Sequence, residues 1–258
     1  MTERVRVDAA ALVADDGSVV NLSDEITHHL RVLRVDQGET VVLFDGLGGE
    51  RDAVVEIVSR REMVLALRGP RREGARADSA RVTWLQGYPK GDKLDTIVKQ
   101  ATELGVAEIR PVYTARSVPR ERDDKGAARL TRWNRIAEEA ARQSGRADLP
   151  AVLAPATLDD AIAGLPLGPS LRLVAWERSD RALLDVVSAA PEGPTVVLVG
   201  PEGGLDDDEV ARCERSGFAH ASLGPRVLRA ETVAPALLAV LSALRGDLRN
   251  RVGAARHR

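Results

Sequence analysis

Aromatic residues, cysteines and long apolar runs are all scarce in this chain. These shortages limit the make-up of the core and argue against a disulfide-bonded or membrane-spanning protein. Only 3% of the 258 residues are aromatic, so any core must be built mainly from Val, Leu, Ile and Ala. Cys213 is the single cysteine, which rules out an internal disulfide and favours a reducing, cytoplasmic compartment. No segment approaches the roughly 18 apolar residues of a membrane span, and the charged start lacks the apolar stretch of a signal peptide. The four histidines show no metal-ligand spacing, so no metal is expected.

The net charge of −2 conceals a basic middle segment. Residues 81–150 carry 14 Lys and Arg against 10 Asp and Glu, whereas the segments before and after are acidic. A second basic cluster consists of Arg60, Arg61, Arg68, Arg71, Arg72 and Arg76. Both regions could contact nucleic-acid phosphates, or they could simply be solvated surface in an arginine-rich composition. Charge alone does not decide between these readings.

Residues 1–70 are predicted to form a small β-barrel domain. Short β-rich runs separated by glycine turns occur at Val19–Leu22, Thr40–Phe44, Asp52–Val58 and Met63–Leu67. One helix is predicted over Asp24–Val32, with Ser23 or Asp24 as its cap. Residues 71–80 have no apolar periodicity, which is typical of a linker.

From residue 81 to residue 250 the pattern alternates between strands and helices, which predicts a parallel α/β sheet. Apolar runs predict strands at Val82–Gln86, Ile109–Tyr113, Leu171–Ala175 and Thr195–Val199. Helical periodicity predicts one helix ending at Gly105, one ending near Gly145, and further helices at Asp206–Ser216 and Thr232–Leu244. Pro235 is expected in the first turn of the last helix, where its missing N–H costs little.

Two glycine-containing loops carry the functional signal. Gly200–Gly204 (GPEGG) follows a buried strand, and Leu223–Thr232 (LGPRVLRAET) leads into a helix. Glycines at strand ends let backbone groups approach a ligand, and ligands in open α/β sheets bind at the carboxyl ends of strands. The spacing matches neither the dinucleotide nor the nucleoside-triphosphate motif. Glycine turns without a ligand, and Thr232 as a plain helix cap, are the alternatives.

The motifs together resemble the RsmE family of 16S ribosomal RNA uridine N3-methyltransferases, in the SPOUT superfamily. The matching segments span almost the whole chain: His28–Val35, Leu43–Gly46, Lys90–Val106, Arg142–Arg146, Leu198–Leu205 and Leu223–Thr232. GPEGG followed by LGPRVLR is the specific combination. The family commonly has Thr where this chain has Ala230, and Glu where it has Arg142.

The resemblance implies an RNA-binding PUA-like barrel over residues 1–70 and a SPOUT-like knotted methyltransferase domain over 81–250. It also implies a cytoplasmic homodimer that uses S-adenosylmethionine to methylate 16S rRNA in the small ribosomal subunit. The residues it places around the cofactor are Leu198, Gly200, Glu202, Gly203, Leu223, Gly224, Leu228 and Thr232. RNA contact is expected at Arg31, Arg34, Lys90 and Lys93.

The hypothesis for catalysis gives Arg229, or Arg146 from either subunit, the role of stabilising negative charge on the base oxygens. The residues do not identify a general base. Two other functions stay open, namely methylation of another RNA such as transfer RNA and non-catalytic RNA binding.

Overall fold

The computed structural model describes residues 2–59, 62–78, 80–118, 126–165 and 171–249. The chain folds into two compact units, Met1–Arg76 with Glu138–Leu149, and Ala77–Ala137 with Pro150–Arg258. Arg60 and Arg61 of the second basic cluster, and Ser79 of the predicted linker, lie outside the described residues. The domain limits of 1–70 and 81–250 stay a prediction.

The first unit is built on a five-stranded sheet in the order β1-β3-β4-β5-β2. Its elements are β1 (Arg4–Arg6), α1 (Ala9–Leu12), β2 (Val19–Asn21), α2 (Asp24–Val32), β3 (Thr40–Phe44), β4 (Gly49–Val58) and β5 (Met63–Glu73). Strand β1 pairs in parallel with β3, and the other pairs are antiparallel. Because β1 and β2 form the two edges among the described strands, the predicted barrel is a curled half-barrel. Helix α2 has the predicted bounds, with Ser23 as its cap.

Strand β5 corrects the predicted start of the linker at residue 71. It continues to Glu73 and pairs there with Gly49 of β4. The reason is cross-strand charge pairing: the Arg72 guanidinium contacts Glu50 at 3.0 Å and Asp52 at 2.8 Å. An apolar-periodicity test misses a strand whose outer half alternates ion pairs rather than hydrophobic side chains.

The second unit contains a seven-stranded parallel sheet with helices, which confirms the α/β fold class. The order is β12-β10-β11-β6-β7-β8, and β9 also pairs with β7. The elements are β6 (Val82–Gly87), α3 (Lys93–Glu103), β7 (Glu108–Tyr113), α4 (Gly126–Ser144), β8 (Ala151–Val152), β9 (Ala156–Thr157), α5 (Leu158–Ala163), β10 (Leu171–Ala175), α6 (Leu183–Ala189), β11 (Thr195–Val199), α7 (Asp207–Arg215), β12 (Ala219–Ala221) and α8 (Ala230–Arg245). Residues 138–144 of α4 are grouped with the first unit. Every residue of β11 is buried, as expected for a central strand.

Helix α8 begins two residues earlier than predicted. Arg229 is its N-cap, and the Val233 amide donates to the Arg229 carbonyl at 3.1 Å. Thr232 is therefore the third helical residue, and the interpretation of its side chain as the cap is wrong. The early start follows from packing, since Ala230 and Ala234 are both buried in the core. Pro235 consequently lies in the second turn and not in the first.

Candidate active site

Strand order brings the two glycine-containing loops to the same edge of the parallel sheet. Strands β11 and β12 both flank β10, and Ala175, the last residue of β10, is in register with Val199 and with Ala221. Each of these residues also ends its own strand. Because parallel strands present their carboxyl ends together, the loops that follow β11 and β12 lie side by side.

A cavity of about 340 Å³ lies between these loops, entirely within the second unit. The sequence-predicted residues that line it are Lys93, Gly200, Glu202, Gly203, Leu223, Gly224, Leu228 and Arg229. Its apolar wall includes Val199, Leu205 and Val233. The structure therefore gathers eight residues that the sequence placed in three separate segments.

Backbone packing explains why the first loop needs glycine. A Cβ on Gly200 would lie 2.9 Å from the Gly204 carbonyl carbon, closer than real Cβ contacts. A Cβ on Gly87, at the end of β6, would lie 2.7 Å from the Pro201 nitrogen. A buried side chain also holds the loop in place, because the Gln86 side-chain amide donates to the Gly200 carbonyl at 3.2 Å. Gly224 in the second loop has φ +110°, which strongly favours glycine.

Glu202 and Lys93 form a charged pair in the cavity wall. The Glu202 carboxylate contacts Lys93 Nζ at 2.7 Å and accepts from the Lys90 backbone N–H at 3.2 Å. Burial alone raises the pKa of Glu202, but the Lys93 hydrogen bond and the backbone amides outweigh it and hold the pKa below its ordinary value. The same hydrogen bond raises the pKa of Lys93. The pair is therefore ionised at neutral pH, and Lys93 faces the cavity.

Arg229 is an exposed cation at the cavity rim, where it begins α8. Within the described residues its guanidinium makes no hydrogen bond and no ion pair. The positive end of the α8 dipole lies at the same place, so both features favour negative charge on a bound group. Neighbouring Arg226 also lines the cavity.

Other predicted site residues lie elsewhere. Leu198 is a fully buried residue of β11, and Thr232 is exposed on α8; neither lines the cavity. Arg146 belongs to the first unit, where it is 3% exposed and contacts Asp148 at 3.0 Å. Arg31 and Arg34 lie at the end of α2 and just after it, and Arg34 has φ +58°.

The described part of the second basic cluster is neutralised by carboxylates. Arg68 contacts Glu56 at 3.1 Å, Arg71 contacts Asp45 at 3.2 Å, and Arg72 bridges two acids as described above. Arg76 contacts Glu73 at 2.9 Å. These arginines stabilise the sheet locally, which weakens the interpretation of this cluster as a phosphate-binding surface.

Sequence reasoning missed two neighbours of the first loop, Arg116 and Glu177. Arg116 donates through Nη1 to the Gly203 carbonyl, and Glu177 lines the cavity. The loop that carries Arg116 is held by the buried Glu209 carboxylate, which accepts from Ala115 N–H at 2.7 Å. The only sequence signal for either residue is that each follows a strand of the parallel sheet.

Three further features concern metal binding, membrane spans and thiol reactivity. Across the described ranges, no three His, Cys, Asp or Glu side chains converge as a metal site. In that same portion of the chain, no helix is both long and apolar enough to cross a membrane. Cys213 is buried, and this burial raises its thiol pKa to about 12, so the thiol is not activated.

Comparison with known proteins gives two family matches. Residues 76–242 match the model described as an RNA methyltransferase domain, and residues 22–67 match an RNA methyltransferase PUA domain. The chain is 30% identical to Ribosomal RNA small subunit methyltransferase E of Bacillus subtilis, over 95% of this chain and 99% of that protein. It is 33% identical to the Mycobacterium bovis protein of the same name, over 92% and 88%.

Solved structures show the same relationship. A Ribosomal RNA small subunit methyltransferase E from Neisseria gonorrhoeae, bound to S-adenosylmethionine, superimposes with a TM-score of 0.86 at 30% identity. The match covers 96% of this chain and 99% of that one. A probable rRNA-methyltransferase from Porphyromonas gingivalis has a TM-score of 0.78 at 26% identity, over 94% and 98%. The similarity therefore extends across both units.

Proposed function

The chain belongs to the RNA methyltransferase family of ribosomal RNA small subunit methyltransferase E, and from this premise we propose that it transfers a methyl group from S-adenosylmethionine to N3 of a uridine in 16S rRNA. One observation carries the proposal: the two loops by which the sequence resembles this family form one cavity. Two relatives named Ribosomal RNA small subunit methyltransferase E each align over 99% of their length.

The cavity fits S-adenosylmethionine in size and chemistry. Its volume lies in the range of small-molecule sites, which are apolar with a few placed polar groups. Leu223, Leu228 and the glycine backbone would form an apolar slot for the adenine. The Lys93–Glu202 pair offers both charges that an amino-acid group requires. Gly200, Gly203 and Gly224 complete the proposed contacts, while contact with Leu198 and Thr232 stays a prediction.

Methyl transfer from this cofactor requires no enzyme nucleophile, because the cofactor supplies a methyl group already activated on a sulfonium. The task of the protein is to hold the uridine and stabilise the negative charge left when N3 loses its proton. Arg229 is free at the rim, next to the α8 N-terminus, and would stabilise the charge on the base oxygens. Arg146 is ion-paired in the first unit, so Arg229 is the stronger catalytic candidate.

Contacts to RNA are proposed for the first unit and for the cavity rim. Arg31 and Arg34 would contact the RNA from the PUA-like unit, which matches an RNA methyltransferase PUA model. The side chain of Lys90 is available to contact RNA, because Lys90 donates to Glu202 through its backbone amide and not through its ammonium group. Lys93 is paired with Glu202 and is proposed to serve the cofactor, while its contact with RNA stays a prediction. A homodimer with a deep trefoil knot, acting on small subunits in the cytoplasm, completes the proposal.

The test is methyl transfer to defined acceptors. The protein is incubated with methyl-labelled S-adenosylmethionine and either small ribosomal subunits lacking the modification or bulk transfer RNA. Label in 16S rRNA alone is the expected result. Label in transfer RNA would support the alternative substrate, and cofactor binding without transfer to either RNA would contradict the proposed activity. An absence of both binding and transfer favours a non-catalytic RNA-binding protein.

A further inference from the structure

Two carboxylates line the cavity, and they differ in their partners. Glu202 is bonded to Lys93 and to the Lys90 backbone amide. Glu177 makes no hydrogen bond and no ion pair with any residue that the structure describes, although it is one of the lining residues. Its oxygens are thus free to accept hydrogen bonds from a bound molecule.

The cation nearest to Glu177 in the sequence is engaged elsewhere. Arg178 forms an ion pair with Asp207, and its guanidinium lies 4.7 Å from the centroid of the Trp176 ring. The adjacent arginine therefore does not neutralise Glu177. A free carboxylate in a ligand cavity is a hydrogen-bond acceptor that a ligand hydroxyl or ammonium could use.

The Glu177 carboxylate lies close to the first loop. One carboxylate oxygen lies 3.0 Å from the point where a Cβ on Gly204 would sit, so the acid lies against the exposed face of that glycine. Strands β10 and β11 are parallel and in register through Ala175 and Val199. Glu177 and Gly200 thus follow the ends of adjacent strands.

This placement matches a general solution for binding nucleosides. In parallel α/β sheets, a glycine loop after one strand lets the ligand approach the backbone, and an acid near a neighbouring strand end accepts from the ribose hydroxyls. A vicinal diol can donate both of its O–H groups to one carboxylate, whereas an amino-acid group needs both charges, which Lys93 and Glu202 would supply together. We infer that Glu177 binds the ribose hydroxyls of the adenosine group; this inference rests on the proposed cofactor.

The test compares the affinity of each protein variant for each of two ligands, as in a double-mutant cycle. Affinities are measured by isothermal titration calorimetry at neutral pH. The ligands are S-adenosylhomocysteine and its 2′,3′-dideoxy analogue, and the proteins are wild type, Glu177→Ala and the control Glu103→Ala. Glu103 is an exposed acid at the end of α3, outside the cavity lining. Wild type and control should prefer the hydroxylated ligand about tenfold or more, the scale of a charge-assisted hydrogen bond.

Glu177→Ala should lose this preference, while its affinity for the dideoxy ligand stays that of wild type. An equal loss for both ligands would assign Glu177 to another part of the cofactor and overturn the inference. Unchanged binding of S-adenosylhomocysteine by Glu177→Ala would overturn it as well, leaving the proposed function intact. Failure of wild type to bind S-adenosylhomocysteine would instead reject the proposed function, and the inference with it.

Discussion

Gly200→Ala tests whether the cavity depends on close backbone packing in the first loop. The added Cβ would lie 2.9 Å from the Gly204 carbonyl carbon and 3.1 Å from the Leu205 nitrogen. These neighbours are backbone atoms, so they cannot rotate away as a side chain could. The loop must shift, although φ at Gly200 is not positive and causes no strain of its own.

Two opposing effects determine how much Gly200→Ala changes the free energy of unfolding. Overpacking of a well-packed site costs about 1–3 kcal/mol, while replacing Gly by Ala gains about 0.4–1 kcal/mol through the unfolded chain. The net loss therefore lies between about 0 and 2.6 kcal/mol, and its midpoint of about 1.3 kcal/mol lowers the melting temperature by roughly 3–5 °C in a unit of this size. Because binding groups must be held to within about 0.5 Å, affinity for S-adenosylhomocysteine should fall about tenfold or more.

Thermal unfolding and calorimetric titration measure both quantities on the same sample. Gly126→Ala is the matched control, because no atom lies within 4 Å of its added Cβ at the start of α4. The control should bind with wild-type affinity and melt at the wild-type temperature or slightly above. Equal behaviour of Gly200→Ala and Gly126→Ala would refute the argument that the loop backbone shapes the cavity.

Three further predictions concern charge and reactivity. Arg229→Ala should keep its affinity for S-adenosylhomocysteine within about twofold. It should lower the single-turnover methylation rate roughly 10²-fold, the scale for one lost transition-state donor. Lys99→Ala is the control, and an unchanged methylation rate in Arg229→Ala would remove Arg229 from the mechanism. Because the folded pKa of Glu202 is lowered, its stabilisation is present above the ordinary pKa of 4.5 and is lost as pH falls through the folded value. Melting curves from pH 7 to pH 3 should therefore show wild type losing its advantage over Glu202→Gln, whereas a constant difference contradicts the ion pair. Buried Cys213 should react with a thiol reagent only after unfolding, and rapid native labelling would show that it is accessible.

Apolar periodicity predicted the central elements well. Strands β3, β10 and β11 and helix α2 have the predicted bounds, because each is long enough for its burial pattern to appear in the sequence. Short or weakly apolar elements left no such signal, and β1, α5 and α6 were not predicted. The predicted start of α8 lies two residues too late, because threonine often caps a helix, which favours Thr232 as its beginning. Burial of Ala230 favours the earlier start that the structure shows.

The site was only partly predictable for a similar reason. Glycines marked both loops, because a backbone that must pack closely excludes other residues. Gln86, Arg116 and Glu177 come from other strand ends, and only the order of strands in the sheet brings them to the first loop. The trefoil knot has no local signature at all, and general topology rules argue against one. The knot is expected only because the chain resembles the RsmE family.

The two departures from the family pattern have local explanations. Ala230 is buried at the first position of α8, where a small residue fits. Arg142 contacts Glu139 at 3.2 Å and Glu138 at 3.9 Å on its own helix, so its charge is balanced locally. Ala230 also lines the cavity, whereas Arg142 belongs to the first unit and does not line it.

The identity of the methylated atom tests the proposed reaction most directly. Small subunits lacking the modification are treated with the protein and S-adenosylmethionine, and the 16S rRNA is digested and mapped by mass spectrometry against nucleoside standards. A single new 3-methyluridine is expected, and it should also stop reverse transcription because N3 lies on the pairing edge of the base. A methyl group on a ribose oxygen or on a carbon of the base would contradict the proposed reaction.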